Sequence, residues 1–408
     1  MNDHIRRRAF PWIARATWLV VALTSSCRSD EPESPRLRIG LLAVLEGDIY
    51  ETSGRPSLEG ALLAAQTTNE AGGIVIDGTA HDVEIVVRDY EGRPDAASSS
   101  ARVLINQERV SAIVGPQVSH HAIPASVVAE DASVPMVSPM SSNPATTAGK
   151  EFVFRIAFLD EVQSQLMARL AIIELGAKRA AILYDRSTAY GRTLAKTFDE
   201  AFESAGGTVV ARESFARDQE LDFSEQLRAI KAAEPDVLYL PNDVERLVVQ
   251  LRQAHGMGIT ADLLGADTWD LEILKNLPES QGAFVPHQWH PEVGTDGSQE
   301  FVALYRRKYD ATPKVTAAMT FDAVKLIIAA AAAEGSTRPE SIRSGLAATE
   351  GFVGVTGPVS YVNSHDPPRA VVISRIVDGE NELFELVEPP RGSSGSEEER
   401  SRPPSGTQ

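Results

Sequence analysis

The stretch GPQVSHHAIPASVVAEDASVPMVSPMSSNPAT, residues 115–146, carries the pattern that decides the fold. It follows a short apolar run, Ala112-Ile113-Val114, of the kind a strand shows when helices cover both of its faces. A Gly-Pro turn then leads to a predicted helix over residues 122–131. Val134-Pro135 leads in turn to a second short strand at Met136-Val137. Strand, helix and strand with brief connections form the repeating unit of a parallel sheet.

The same unit recurs on either side. Upstream, strands are expected over residues 37–44 and 83–89, with a helix over 58–73 that ends in Ala71-Gly72-Gly73; the first glycine of the pair can take the left-handed conformation that closes a helix. Downstream, a strand at 179–184 is followed by a helix at 191–204, a second Ala-Gly-Gly at 205–207 and a strand at 208–214. Further strands fall at 237–240, 262–265 and 282–285, with helices at 244–255, 299–309 and 317–333. With 408 residues, the chain has room for two such α/β lobes.

The two ends of the chain read differently. Arg6, Arg7, Arg8 and Arg15 precede a brief apolar core, residues 16–24, too short for a stable span, so residues 1–26 read as an export signal. Arg7-Arg8-Ala9-Phe10 matches the centre of a twin-arginine signal, with Arg6 where that pattern has Ser or Thr, and the export route stays open between the two systems. Cys27, the sole cysteine, sits after Thr24-Ser25-Ser26, as in a bacterial lipobox; Leu23 lies four places before it rather than three. Two readings stand: a lipid-anchored cysteine with residues 27–36 as a polar tether, or a cysteine lost with the signal. A single cysteine excludes an intramolecular disulfide. Residues 389–408, PPRGSSGSEEERSRPPSGTQ, lack apolar periodicity and read as a disordered tail. A formal net charge of −18 argues against a nucleic-acid partner.

Three constellations invite a chemical reading. Ser119 beside His120 and His121 suggests a serine hydrolase, but neighbours on a helix point about 100° apart and no Gly-x-Ser-x-Gly elbow surrounds the serine. Ser119 reads instead as the N-cap of the helix over 122–131, offering a hydroxyl and backbone N–H groups to an anion. The helix dipole adds roughly 0.3–1 kcal/mol there, and each charge-assisted hydrogen bond about 1.5–3 kcal/mol. GMGITA, residues 256–261, fits a dinucleotide fingerprint in the wrong context, after a helix and before a strand, and reads as a helix-ending turn. HQWH, residues 287–290, has no third ligand for zinc and reads as a surface or hinge loop. Nothing in the sequence calls for a cofactor or a metal.

Taken together, the Gly-Pro turn, the serine at a helix start, the Val-Pro strand and Ser138-Pro139-x-Ser141-Ser142-Asn143-Pro144 resemble the periplasmic leucine/isoleucine/valine-binding proteins, the type I solute-binding components of ABC transporters. The likeness extends through Ala71-Gly72-Gly73-Ile74, Phe152-Val153-Phe154-Arg155, Tyr190-Gly191-Arg192, Asp222-Phe223-Ser224 and MTFDAVKL at 319–326. It implies a non-enzymatic α/β protein of the periplasmic binding protein type I class. Two doubly wound parallel-sheet lobes, residues 37–156 with 288–356 and 157–287 with 357–388, would be joined by a three-segment hinge.

By the same resemblance Ser119 takes a ligand α-carboxylate, with Ser142 beside it, while Met140 offers a backbone carbonyl to the ammonium. Tyr190 covers the ligand from the second lobe, and Asp267 stands where the family has a glutamate for the ammonium. Asp243 and Ser53 replace aromatic positions, which favours a polar or cationic ligand side chain; Asp243 as a mere helix cap is the competing reading. His120 either lines the pocket or faces solvent. The implied function is an exported lipoprotein that binds an amino acid or similar zwitterion, with an ABC permease and, through Cys27, a membrane as partners. A ligand sensor or cell-envelope regulator of the same fold is the alternative.

Overall fold

The structure is a computed structural model that describes residues 35–389, apart from Asp48, residues 217–220, Asp270, Lys275 and Val362. The expected export signal, Cys27, the tether up to residue 34 and the tail from residue 390 lie outside the described residues.

Two sheets organise the chain. The first contains β1 (Arg36–Ala43), β2 (Ile74–Ile76), β3 (Thr79–Asp89), β4 (Ala112–Val114), β5 (Met136–Ser138) and β6 (Val153–Arg155) in the order β2-β3-β1-β4-β5-β6. The second contains β7 (Arg179–Asp185), β8 (Thr208–Phe215), β9 (Val237–Tyr239), β10 (Asp262–Leu264) and β11 (Phe284–His287). A small hairpin follows, β12 (Phe352–Gly354) with β13 (Gly357–Val359), before β14 (Val371–Val377) and β15 (Glu380–Val387) complete the second sheet in the order β15-β14-β11-β10-β9-β7-β8. Within each sheet the five parallel strands follow the same path: the second strand lies outside the first, and the later three extend from the first strand's other side. That reversal makes β1/β4 and β7/β9 the switch points, where a crevice opens beyond the carboxyl ends of the strands.

Helices cover both faces of both sheets: α1 (Arg55–Glu70), α2 (Pro94–Asn106), α3 (Ser119–Asp131), α4 (Asp160–Ile173), α5 (Ala189–Ser204), α6 (Ser224–Ala232), α7 (Val244–Gly256), α8 (Leu271–Leu274), α9 (Asp296–Tyr309), α10 (Val315–Ala333) and α11 (Pro339–Ala347). The period of two along β1 divides the first core: Leu37, Ile39 and Leu41 pack with α1 and α10, while Leu42 faces α2 and α3. In the second sheet Ala180 and Ile182 face α4 and α5, and Ala181 and Leu183 face α6 and α7. The helix α10 is long and apolar enough to cross a membrane, yet 78% of its apolar stretch is buried, and it is a core helix. A side chain at Gly60 of α1 would place its Cβ 2.2 Å from the Ala317 carbonyl oxygen, so glycine lets α1 and α10 meet backbone to backbone.

The chain passes between the sheets three times, over residues 155–160, 287–296 and 361–371. The passages are bonded side by side: Phe158 N donates to Gln288 Oε1 at 2.9 Å, and Arg155 N to His365 O at 3.2 Å. After the second passage, Phe301, Leu326 and Leu346 of α9–α11 join the core of the first sheet.

Two local expectations change. The helix α3 begins at Ser119, with extended Val118 as its N-cap and no side-chain capping bond; Ser119 is the first helical residue, because His121 N and Ala122 N already bond to Val118 O. Of the two readings of HQWH the surface loop falls and the hinge stands: His287, Gln288, Trp289 and His290 are all buried, and the tetrapeptide forms the start of the second passage. GMGITA does end a helix, with Gly258 at φ +72° and Ile259 N bonded back to Ala254 O at 3.0 Å.

Candidate functional site

A cleft of about 1870 Å³ runs between the two sheets, and Ser53, Ser119, His120, Met140, Ser142, Tyr190, Asp243 and Asp267 all line it. Each follows the carboxyl end of a parallel strand: Ser53 after β1, Ser119 and His120 after β4, Met140 and Ser142 after β5, Tyr190 after β7, Asp243 after β9 and Asp267 after β10. The topology thus gathers residues more than two hundred positions apart, and the volume exceeds the ~300–1,000 Å³ of closed small-molecule pockets. The cleft stands open.

On the side of the first sheet, Gly115 adopts φ +90° because a Cβ there would lie 2.5 Å from Leu42 O. The turn delivers the first residues of α3 to the cleft wall. Ser141 donates to the Ser119 hydroxyl at 3.0 Å and shares a 2.7 Å contact with Thr146 Oγ1. Having accepted there, Ser119 keeps its own hydroxyl proton to donate to an anion. The loop that follows β5 is held by Arg155, fully buried, whose guanidinium donates to Ser141 O at 2.8 Å, Asn143 O at 2.8 Å and Thr147 Oγ1 at 2.7 Å, and pairs with Asp366. Met140 and Ser142 are carried on that loop. Ser53 lies in a single π-turn, Tyr50–Gly54, pressed against the end of β1 so closely that a Cβ on Gly54 would overlap Val44 O. His120 is exposed, with its ring 3.8 Å from that of His121; His121 is buried with its ring 5.1 Å from that of Tyr90, and it too lines the cleft.

The second sheet presents a carboxylate. Thr188 caps α5 by accepting from Gly191 N at 3.0 Å, and Gly191 packs on Asp185 O, where a Cβ would come within 2.4 Å. This fixes Tyr190, whose hydroxyl donates to Asp267 Oδ1 at 2.6 Å. Gln163 of α4 donates to the same oxygen at 3.0 Å and accepts from Asp267 N at 3.1 Å. Behind it, Trp269 folds against Gly265 and donates its indole N–H to Leu240 O at 2.9 Å. Burial raises the Asp267 carboxyl above the usual carboxylate range, and the Tyr190 and Gln163 donors work against that rise. Such a group gains most from an arriving cation. Asp243 holds the N-cap position of α7 but makes no side-chain capping bond, and its carboxylate lines the cleft.

Gln163 and Asp160 are absent from the sequence reading, and Arg155 enters it only as the end of Phe152-Val153-Phe154-Arg155, with no role of its own. Asp160, fully buried at the start of α4, accepts from Asn143 Nδ2 at 3.2 Å. An arginine inside the apolar strand Val153–Arg155 was the available signal for one of them, since a buried guanidinium needs acceptors nearby. No group of three or more metal-ligating side chains occurs among the described residues.

Two sheets of one strand order, three passages between them and a cleft beyond the strands' carboxyl ends define the type I periplasmic binding protein fold. The chain belongs to the periplasmic binding protein family, whose sequence profile matches residues 36–381. A leucine-binding protein of Thermotoga maritima superposes with a TM-score of 0.79 at 29% identity, over 86% of this chain and 99% of that one. The branched-chain amino acid transporter substrate-binding protein of Streptococcus pneumoniae, solved with isoleucine, gives a TM-score of 0.79 at 28% identity, over 87% of this chain and 100% of that one. A Leu/Ile/Val-binding protein homolog of Brucella melitensis is 30% identical over 232 residues, which is 57% of this chain and 61% of the relative. The chain thus spans about 61% of the first curated relatives it matches.

Proposed function

We propose that this chain is the substrate-binding component of an ABC transporter and closes on an α-amino acid or a close analogue. The observation that carries the reading is the pairing across one cleft of an anion site, Ser119 at the start of α3, with a hydrogen-bonded carboxylate, Asp267. Together they match the two charges of a zwitterion. Ser142 and the Met140 carbonyl would complete the two ends, and Tyr190 would cover the ligand from the second lobe. The lobes would be residues 37–156 with 288–356 and 157–287 with 357–388, swinging about the three passages. Ligand that touches both lobes only in the closed form drives closure by its differential affinity, with no covalent chemistry.

The similarity to leucine- and isoleucine-binding proteins makes branched-chain amino acids the first class to test. Ser53, His120 and Asp243 in the cleft extend the range toward polar and cationic side chains. Export by residues 1–26 and lipid attachment at Cys27 would keep the protein outside the cytoplasm beside its permease. A thermal-shift screen of the full chain against the twenty L-amino acids tests the reading. A ligand at a hundred times its Kd adds about 2.7 kcal/mol to stability, and Ser119→Ala or Asp267→Ala removes the shift. If no amino acid moves the midpoint of the wild type, the proposal fails.

A further inference from the structure

Asp267 and Asp243 are among the carboxylates that line the cleft, but a further carboxyl lies behind Asp267 that no bound amino acid would touch. Asp160 begins α4 in the first passage between the sheets, with no exposed surface. Its Oδ2 accepts from Asn143 Nδ2 at 3.2 Å, its Oδ1 is buried, and the Ser142 hydroxyl is the other side-chain donor that acts on the carboxyl. Its backbone N–H donates to Ser142 O at 3.0 Å, so the same residue is tied to the loop that carries Ser142. A carboxylate in such a place is under-solvated, and the neutral acid is the cheaper form.

The surroundings reinforce this. Glu161 stands beside Asp160 on its own helix, and Asp267 faces it from the turn after β10; both repel an added negative charge. Arg155 of β6 is the cation that acts on it, and the guanidinium is already engaged by Asp366 and by the loop carbonyls. Tyr190 of α5 and Tyr239 of β9 sense Asp160 from the second sheet, both held neutral by burial. Burial first, and then Asp267 and Glu161, lift the Asp160 carboxyl to about 7, with the Ser142 hydroxyl and Arg155 pulling the other way. This rationale rests on the reading of Asp267 as the ammonium site.

We propose that Asp160 holds a proton in the ligand-free protein and releases it when an amino acid's ammonium group settles on Asp267, so that ligand binding is linked to proton release. In the step the Asp160 O–H bond breaks, the proton passes to solvent, and the carboxylate left behind is balanced by the arriving cation. The ligand's own carboxylate is taken up on the other wall, at the N-terminus of α3. Asp160 does not contact the ligand; it sets the charge that the ligand's cation meets.

The test uses the full-length protein and the amino acid that gives the largest shift in the screen. Titration calorimetry at pH 7 in phosphate and in imidazole, two buffers of different ionisation heat, should report about half a proton released per ligand. Affinity should rise about tenfold from pH 6 to pH 8. Asp160→Asn should bind the ligand with equal heats in both buffers and a flat pH profile. Equal heats or a flat profile in the wild type would overturn the inference while leaving the binding function intact. Release that persists in Asp160→Asn would also overturn it, by assigning the proton to another group. Should Asp160→Asn not fold, Asn143→Ala, which removes a donor to the Asp160 carboxyl, should move the pH dependence of affinity to higher pH, and an unmoved profile would overturn the inference. If no amino acid binds at all, the functional reading fails, and this inference with it.

Discussion

At the scale of single residues, the site divides into atoms that would meet a ligand and atoms that aim them. Tyr190 spends its hydroxyl on Asp267, so Tyr190→Phe leaves the carboxylate with Gln163 as its one side-chain donor at Oδ1. Loss of one such bond costs about 0.5–1.5 kcal/mol, and calorimetry should show affinity falling roughly two- to tenfold with stoichiometry unchanged. Asp160 predicts a pH effect on stability in the absence of ligand. Its folded carboxyl, at about 7, lies above the unfolded value of 3.8. The unfolded chain therefore ionises first as pH rises, so the stability Asp160 contributes is full below about pH 4 and is lost as pH climbs through 7. Thermal midpoints measured from pH 5 to pH 8 should fall less steeply for Asp160→Asn than for the wild type; parallel curves would refute this. The place of Ser119, Tyr190 and Asp267 on the cleft was legible because a recognisable motif surrounds each. Asp160 and Gln163 were not, since their importance comes from a fold that sets them behind Asp267, which lies about a hundred positions away in sequence.

Among the elements, the strands with strong apolar runs were readable to within a residue or two: β4 and β9 begin where the sequence places them, and β1 begins one residue early. The shortfall lies in elements whose partners are remote. Neither β14 nor β15 was anticipated: β15 is exposed along much of its length, and only antiparallel pairing with β14, itself on β11, makes it a strand. The start of α3 moved to Ser119 because the backbone of Val118, rather than a serine hydroxyl, turns the chain into the helix. The loop after β5 is held by Arg155 as well as by its own Ser141–Thr146 and Ala145–Asn143 bonds. Arg155→Ala would leave the Ser141 and Asn143 carbonyls and Asp366 without their cation, at a cost of about 3–5 kcal/mol. An unfolding free energy from denaturant titration within about 1 kcal/mol of wild type would show that the loop supports itself.

On the scale of the whole molecule, the open cleft and the three parallel passages predict a rigid-body response. Small-angle scattering should record a smaller radius of gyration when a saturating amino acid is added, and none of that change for Asp267→Ala. An unchanged radius in the wild type would mean that the ligand is held without closure. The passages also set the order in which the molecule can be built. The core of the first sheet waits for α9–α11, whose last residue is Ala347, and the second sheet waits for β14 and β15, which end at Val387. A chain emerging from its first residue, whether from a ribosome or through a narrow pore, closes neither core until nearly all of it has passed.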